Sequence, residues 1–373
     1  MRQPIHTMYG GANRFQAGTV PKMGALALES LHLHGPFPGV SEAVRTRILD
    51  KLQREPIEDF RLDFEDGYGY RADEEEDRHA VEAAREVGKA AALGQLPPSI
   101  GIRIKALTEA SRRRALQTLE LFLSTLLECR DKPGSLIVTL PKITKAAQVA
   151  ELAEWLGSFE QRHAIASGYF RIELMVETPQ SLPILETLVA AAQGRCSSAH
   201  FGAYDYTAAL GIVGTHQRLD HPACDFARNM MQLALADSAV RLSDGAFNVI
   251  PVGTSDQVQD AWRLHFTQIQ RSLSMGFYQG WDLHPAQLPA RYAAVYAFYL
   301  NEFPEVISRL ANFLNASRQA TRLGAIFDDA ATGQGLMTFV SQGLECGALR
   351  LSEIEAVGLM WKGQDEFPPF GLR

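Results

Sequence analysis

Arg171-Ile172-Glu173-Leu174-Met175-Val176-Glu177-Thr178-Pro179 reads as a strand handing over to a helix. The run to Glu177 is mostly apolar and too short for a helix of its own. Thr178-Pro179 then marks a start, and residues 180–188 continue in a helical pattern. The same unit recurs along the chain. Eight strand-like runs lie at 6–9, 60–64, 101–105, 135–140, 171–177, 198–202, 247–252 and 280–283. Amphipathic segments separate them. Leu119, Phe122, Leu123 and Leu126 share one helical face, as do Val149, Leu152, Trp155 and Leu156. Ser41 caps the segment that opens Glu42-Ala43-Val44. The acidic residues 73–77 sit at another expected helix start, where they meet the positive end of the dipole.

Strands that alternate with helices pair in parallel through right-handed crossovers. Eight such units predict an α/β fold, a (β/α)8 TIM barrel, which takes about 250 residues. A doubly wound open sheet would bring a glycine-rich phosphate turn after its first strand. Tyr9-Gly10-Gly11-Ala12-Asn13 lacks the GxGxxG spacing, so the closed barrel is the expected architecture. It is expected over residues 1–290, with a helical C-terminal extension over 291–373. In and just before that extension, 287–300 and 305–323 read as helices, 324–335 as a break, and 336–344 and 352–359 as a final helical pair. The apolar groups Leu336, Phe339, Val340, Leu344, Ile354 and Leu359 require a partner, either the barrel or a second chain.

Of the 373 residues 46% are hydrophobic, enough for a large core and too many for a disordered chain. The 36 basic residues face 43 acidic ones, a net charge of −7. That argues against a nucleic-acid or anionic-membrane surface, which needs clustered positive charge. A local basic pocket for an anionic substrate remains compatible with it. No stretch approaches the ~18 consecutive apolar residues of a membrane span. Met1-Arg2-Gln3-Pro4-Ile5-His6 carries no apolar segment of the signal-peptide kind. Cys129, Cys196, Cys224 and Cys346 form neither CxxC nor Cys–His clusters, and predict reduced, mostly buried thiols in a cytoplasmic protein. A closed homo-oligomer is the expectation from the general habit of soluble proteins.

In such a barrel the chemistry sits at the C-terminal ends of the strands. Here these ends are polar. The second reads Leu62-Asp63-Phe64-Glu65-Asp66-Gly67, the third carries Arg103 and Lys105, and the fourth ends Leu140-Pro141-Lys142. The fifth ends Val176-Glu177-Thr178, the sixth Phe201-Gly202-Ala203-Tyr204-Asp205, and the eighth Asp282-Leu283-His284-Pro285. Glu177 and Asp205 end adjacent strands and can meet across the mouth. Two carboxylates with waters and a substrate oxygen suit Mg²⁺; each of the two also suits a helix cap. Arg103, in an apolar strand, either forks a substrate carboxylate or pairs with Glu65 or Asp66. His284 before Pro285 reads as an orienting residue of a strand-end turn, and His200 as a core histidine. Glu345, in Gly343-Leu344-Glu345-Cys346-Gly347, is a candidate for the proton acceptor the rim otherwise lacks, or a solvated surface acid.

Taken in order, these motifs resemble the citrate lyase beta-subunit-like family of the HpcH/HpaI aldolase group, among the phosphoenolpyruvate/pyruvate-binding barrels. The resemblance spans about residues 4–290. It implies a Mg²⁺-dependent barrel acting on carbon–carbon bonds of small oxo- or hydroxy-acids, often as coenzyme A thioesters. By position it implies Glu177 and Asp205 as metal ligands, Arg103 as the substrate-carboxylate arginine, and Glu65 and Asp66 as acids below the metal. Arg14, in Gly11-Ala12-Asn13-Arg14, corresponds to a loop arginine that reaches the substrate. The family often places a Gly-Lys pair shortly before the histidine of the eighth strand; Gln279-Gly280 stands there instead.

Three activities fit. The first is a carbon–carbon lyase or aldolase working through a metal-stabilised enolate. The second is a malate-synthase-like condensing or thioester-hydrolysing enzyme that uses the same enolate. The third is a non-catalytic binding or assembly subunit.

Overall fold

The computed structural model describes residues 2–319, 330–362 and 370–372. Its centre is a closed barrel of eight parallel strands in sequence order. These are β1 (His6–Gly11), β2 (Asp59–Asp63), β3 (Ser99–Arg103), β4 (Leu136–Leu140), β5 (Phe170–Val176), β6 (Cys196–Phe201), β7 (Arg241–Ala246) and β8 (Gln279–Asp282). Closure pairs His6 with Gly280 and Met8 with Asp282, so the sheet has no free edge. On β3, β4 and β5 the outward residues are apolar. Ile102, Leu136, Val138, Leu140 and Leu174 lie fully buried between sheet and helices, as parallel strands covered by helices require.

The covering helices follow the strands. α1 (Thr19–His34) and α2 (Glu42–Arg54) follow β1, and α3 (Asp73–Ala92) follows β2. α4 (Arg112–Glu128) and α5 (Ala146–Arg162) follow β3 and β4, and α6 (Leu185–Ala191) follows β5. After β6 come α7 (Ala203–Ala209) and α8 (Pro222–Leu235), and after β7 comes α9 (Ser255–Ser274). The expected faces are buried: Leu119, Phe122, Leu123 and Leu126 on α4, and Val149, Leu152 and Leu156 on α5. Ser41 caps α2 through the Val44 N–H, and the acidic run opens α3. Glu76 of that run is buried and holds Lys105 at 2.7 Å and the Thr118 hydroxyl at 2.6 Å. No helix among the described residues is long and apolar enough to cross a membrane. Three cysteines are buried, Cys129 is half-buried, and all four are free.

The seventh strand departs from expectation. Residues 247–252, with their valines and isoleucine, read as a strand but lie beyond its end. The strand is Arg241-Leu242-Ser243-Asp244-Gly245-Ala246, which has no β-branched residue. Tertiary contacts override local preference there. Asp244 is buried, accepts from Arg228 of α8 at 3.0 and 3.1 Å, and takes the Ser272 hydroxyl of α9 as well.

After β8 one helix, α10 (Leu288–Gln319), crosses Pro304 without the expected break near 301–304. It packs on α9 and α2, the place between the last and first helices of the ring. Long-range packing on these neighbours outweighs the helix-breaking tendency of one proline. α11 (Ala330–Glu345) begins inside the stretch read as a break, of which 324–329 lie outside the described residues. α11 lays Phe339 against Phe298 and Tyr299 of α10, with ring centroids 5.7 and 4.8 Å apart. Leu336, Val340, Ile354 and Leu359 are buried, so these groups find cover within the chain. α12 (Leu351–Ala356) and an antiparallel pair, β9 (Leu359–Trp361) and β10 (Phe370–Leu372), complete the chain.

Inside the barrel the middle layer is polar and buried. Arg61 of β2 is fully buried and donates to Glu173 of β5 at 2.6 and 3.1 Å, to Asp59, and to the Thr139 hydroxyl at 3.1 Å. Glu173 also accepts from Thr139 at 2.7 Å, Ser198 at 2.8 Å and Tyr9 at 3.1 Å, and meets His200 Nε2 at 2.9 Å. Gln279 joins His200 to Thr7, and Thr7 donates to Asp59. Removing one partner of such a pair leaves an uncompensated buried charge. Glu173→Gln is therefore expected to cost about 3–5 kcal/mol of stability. Urea unfolding measures it, and a loss below about 1 kcal/mol would remove the network from its structural role.

Candidate functional site

The C-terminal strand ends gather five carboxylates and two cations. Asp63, the last residue of β2, is the organiser. Its Oδ1 accepts the Glu65 N–H at 3.0 Å and its Oδ2 the Gly67 N–H at 2.7 Å, which folds Glu65-Asp66-Gly67 into a turn. A side chain at Gly67 would come within 2.5 Å of Asp63 Oδ2, so only glycine lets the turn close. Across the strand pair, Arg103 forks Asp63 through Nε at 2.7 Å and Nη2 at 2.5 Å. Its Nη1 faces Glu65 at 3.2 Å and Asp66 at 3.8 Å. The guanidinium lies over the rings of Tyr9 at 5.0 Å and Trp281 at 5.7 Å, whose own centroids are 4.3 Å apart. Arg103 is thus buried and points into the mouth, and Asp63 takes its bidentate edge. The expected partners, Glu65 and Asp66, meet only Nη1, and Asp63 is the carboxylate that is forked. The β2–β3 register, Asp63 opposite Arg103, is what brings fork and carboxylate together.

Glu177 follows β5 and is buried. Its Oε1 accepts the Lys142 N–H at 2.6 Å. A side chain at Gly202 would meet Glu177 Cβ at 2.5 Å and Oε2 at 2.9 Å, so glycine at the end of β6 makes room for this carboxylate. Asp205, in the first turn of α7, is half exposed. Between these two stands Lys142, which sequence reasoning did not single out. It follows Pro141 with φ +52°, a left-handed backbone that is costly for a residue with a side chain. Its ammonium lies 2.9 Å from Asp205, 3.2 Å from Asp66, 3.5 Å from Glu65 and 3.8 Å from Glu177. The Leu140-Pro141-Lys142 step was visible in the sequence, but the left-handed turn was not.

Burial sets the proton affinities. It pushes the Glu177 carboxyl up to about 8, against the pull of Lys142 and helped by Asp205. It pushes Glu65 up to about 7, with Asp66 adding repulsion and Arg103 opposing. Burial also acts against the ionised Asp66, but its hydrogen bond with Glu65 and the charges of Arg103 and Lys142 hold it below the usual range. Burial lowers Lys142, yet the carboxylates around it, Glu177 first, keep its ammonium well above the ordinary lysine range.

The donor set is all oxygen and carries more negative than positive charge. Among the described residues no three carboxylate, imidazole or thiolate groups form a closed metal cage. Mg²⁺ does not need one, because it keeps several waters and takes one or two carboxylates. Glu177 and Asp205, on adjacent strand ends, fit that pattern.

The remaining candidates fall elsewhere. Arg14 lies on the turn after β1, exposed and with no ion pair among the described residues. His284 accepts the Ala286 N–H at 3.1 Å and caps the turn before α10, the orienting role expected of it. His200 is a core residue of the barrel interior. Glu345 lies with Gln3 and Arg241, beside the N-terminal ends of β1 and β7, at the end of the barrel opposite the carboxylates. It therefore cannot act as the rim's proton acceptor, because a base must reach the proton it takes.

Known proteins share this architecture at low identity. The protein CitE from Mycobacterium tuberculosis, solved with magnesium, acetoacetate and coenzyme A, is 19% identical, with a TM-score of 0.56 over 93% of this chain and 98% of that one. Haloferax volcanii malate synthase in a lead(II) complex is 13% identical, with a TM-score of 0.55 over 95% and 94%. The magnesium/glyoxylate complex of the same enzyme gives 0.53 over 95% and 94%. At these identities the likeness is one of fold. No curated protein matches the chain. A family model covers residues 1–367, and by it the chain belongs to the family described as Domain of unknown function (DUF6986).

Proposed function

We propose that this protein is a Mg²⁺-dependent enzyme that breaks or makes a carbon–carbon bond beside the carbonyl of a small oxo- or hydroxy-acid, free or as its coenzyme A thioester. The observation that carries the reading is the pair Glu177 and Asp205 on adjacent strand ends, in a mouth with five carboxylates and with Arg103 and Lys142 among them. Glu177 and Asp205 would hold the ion. When bound, magnesium supplies Lewis acidity that stabilises negative charge on a substrate oxygen.

The chain's own groups do the rest. Asp63 fixes the fork of Arg103, and Nη1, which faces Glu65 at 3.2 Å, would turn its remaining N–H to a substrate carboxylate. Tyr9 and Trp281 form an aromatic floor under that charge. The indole N–H of Trp281 is buried with no acceptor among the described residues, and a substrate oxygen can take it. Glu65, whose carboxyl sits near 7, can accept a proton at neutral pH. Arg14, exposed after β1, would meet the outer part of a substrate.

CitE and malate synthase support the reading through what their structures contain: magnesium with acetoacetate and coenzyme A in one, magnesium with glyoxylate in the other. Malate synthase, solved with magnesium and glyoxylate, makes condensation the second reading. Product analysis separates the two, with oxaloacetate and hydroxy-acyl-CoA thioesters as lyase substrates and glyoxylate with acetyl-CoA as condensation substrates. A non-catalytic barrel would turn over none of them.

Three results are expected. Glu177→Gln and Asp205→Asn should each abolish Mg²⁺ binding in calorimetry while circular dichroism shows the fold retained; undiminished affinity in both would end the assignment. Arg103→Lys keeps the charge and loses the fork, so kcat/KM should fall about tenfold or more; a lower melting temperature with normal kinetics would make Arg103 structural only. The pH profile should follow Glu65. A carboxyl raised to about 7 is protonated below that pH and cannot accept a proton, so kcat/KM should fall as pH drops through about 7. Glu65→Gln should remove that limb along with most activity.

A further inference from the structure

Lys142 places its ammonium between the two proposed metal ligands, 2.9 Å from Asp205 Oδ1 and 3.8 Å from Glu177 Oε2. An ion bonded to both oxygens stands about 2.1 Å from each. The two positive charges would then share the space between these carboxylates, beside the buried Glu177, where their repulsion is only partly screened. The backbone holds the lysine in this place. Its left-handed φ of +52° persists only where the surroundings over-determine it. Here they do: the N–H of the same residue is tied to Glu177 Oε1 at 2.6 Å, so the backbone is anchored to one proposed ligand while the ammonium reaches the other. The outer acids offer a second resting place. Asp66 Oδ2 and Glu65 Oε1 are already 3.2 and 3.5 Å from the ammonium, and the side chain is 29% exposed, which leaves it room to move outward.

We infer that the Lys142 ammonium and Mg²⁺ are alternative occupants of one position, so that metal binding requires the ammonium to withdraw onto Glu65 and Asp66. The inference rests on the magnesium reading given above. Lys142 then has two effects. It neutralises the crowded carboxylates when it stands among them, and it raises the Mg²⁺ concentration at which the ion takes over. The apparent affinity of a site that must first open is the intrinsic affinity reduced by the fraction open.

Calorimetry with MgCl2 on the full chain tests this. Lys142→Met keeps the length of the side chain and removes its charge, and should tighten Mg²⁺ binding about tenfold or more. In EDTA the variant should melt below the wild type, and saturating Mg²⁺ should close that gap. A second measurement uses the wild type alone. Acylation of Lys142 by an amine-reactive ester, followed by mass spectrometry, should rise with Mg²⁺, with its midpoint at the calorimetric Kd. Unchanged or weaker Mg²⁺ affinity in Lys142→Met, or labelling indifferent to Mg²⁺, would overturn the inference while leaving the metal site standing. A wild-type chain that binds no Mg²⁺ would overturn the metal reading and this inference with it.

Discussion

The ion pair of Arg61 and Glu173 is the constraint around which the barrel is arranged. A guanidinium and a carboxylate without access to water cost several kcal/mol each in lost hydration, and only excellent geometry with every remaining donor and acceptor used offsets that. Arg61 and Glu173 meet the condition by drawing on β1, β2, β4, β5 and β6 at once. A strand slipped by one residue would turn its contribution to the other face of the sheet. The network therefore specifies register as much as it stabilises. It also reaches the functional rim. The Tyr9 hydroxyl rests on Glu173, and the ring of the same tyrosine lies under Arg103. The floor of the mouth is thus built on the polar layer beneath it.

Much of this was legible in the chain. Eight parallel units were readable because period, length and capping residues are local properties, and the strand-end carboxylates were readable because the barrel rule assigns them a common rim. What escaped was long-range. β7 has poor strand composition and is held by Asp244, Arg228 and Ser272, residues distant in sequence. Pro304 stands inside a helix whose packing tolerates it. The true partner of Arg103 depends on the β2–β3 register, and the position of Lys142 depends on a backbone angle; neither is written in composition. Glu345 looked available because the tail's direction was unknown.

The departure at Gln279-Gly280 has a physical counterpart. Where the citrate lyase beta-like pattern often carries a lysine, a side chain on Gly280 would run into the guanidinium of Arg291 at 2.7 Å. Arg291 comes from α10 and forks Asp282, at 2.9 and 3.0 Å, beside His6 and His265. A cation from α10 fills the space beside β8. This ties the helix that closes the ring to the strand that closes the barrel.

Gly202 bears on how such a site can diversify. Because any side chain there would collide with Glu177, the junction after β6 has no freedom to vary while that carboxylate keeps its place. Gly67 imposes the same restriction after β2. The acidic half of the mouth is thereby closed to gradual change. Latitude for accommodating acids of different length or shape lies with exposed side chains that no proposed ligand leans on, Arg14 after β1 and Val249 and Val252 after β7. Change in what the barrel accepts would accumulate along that arc of the rim while the charge-bearing arc stays as it is.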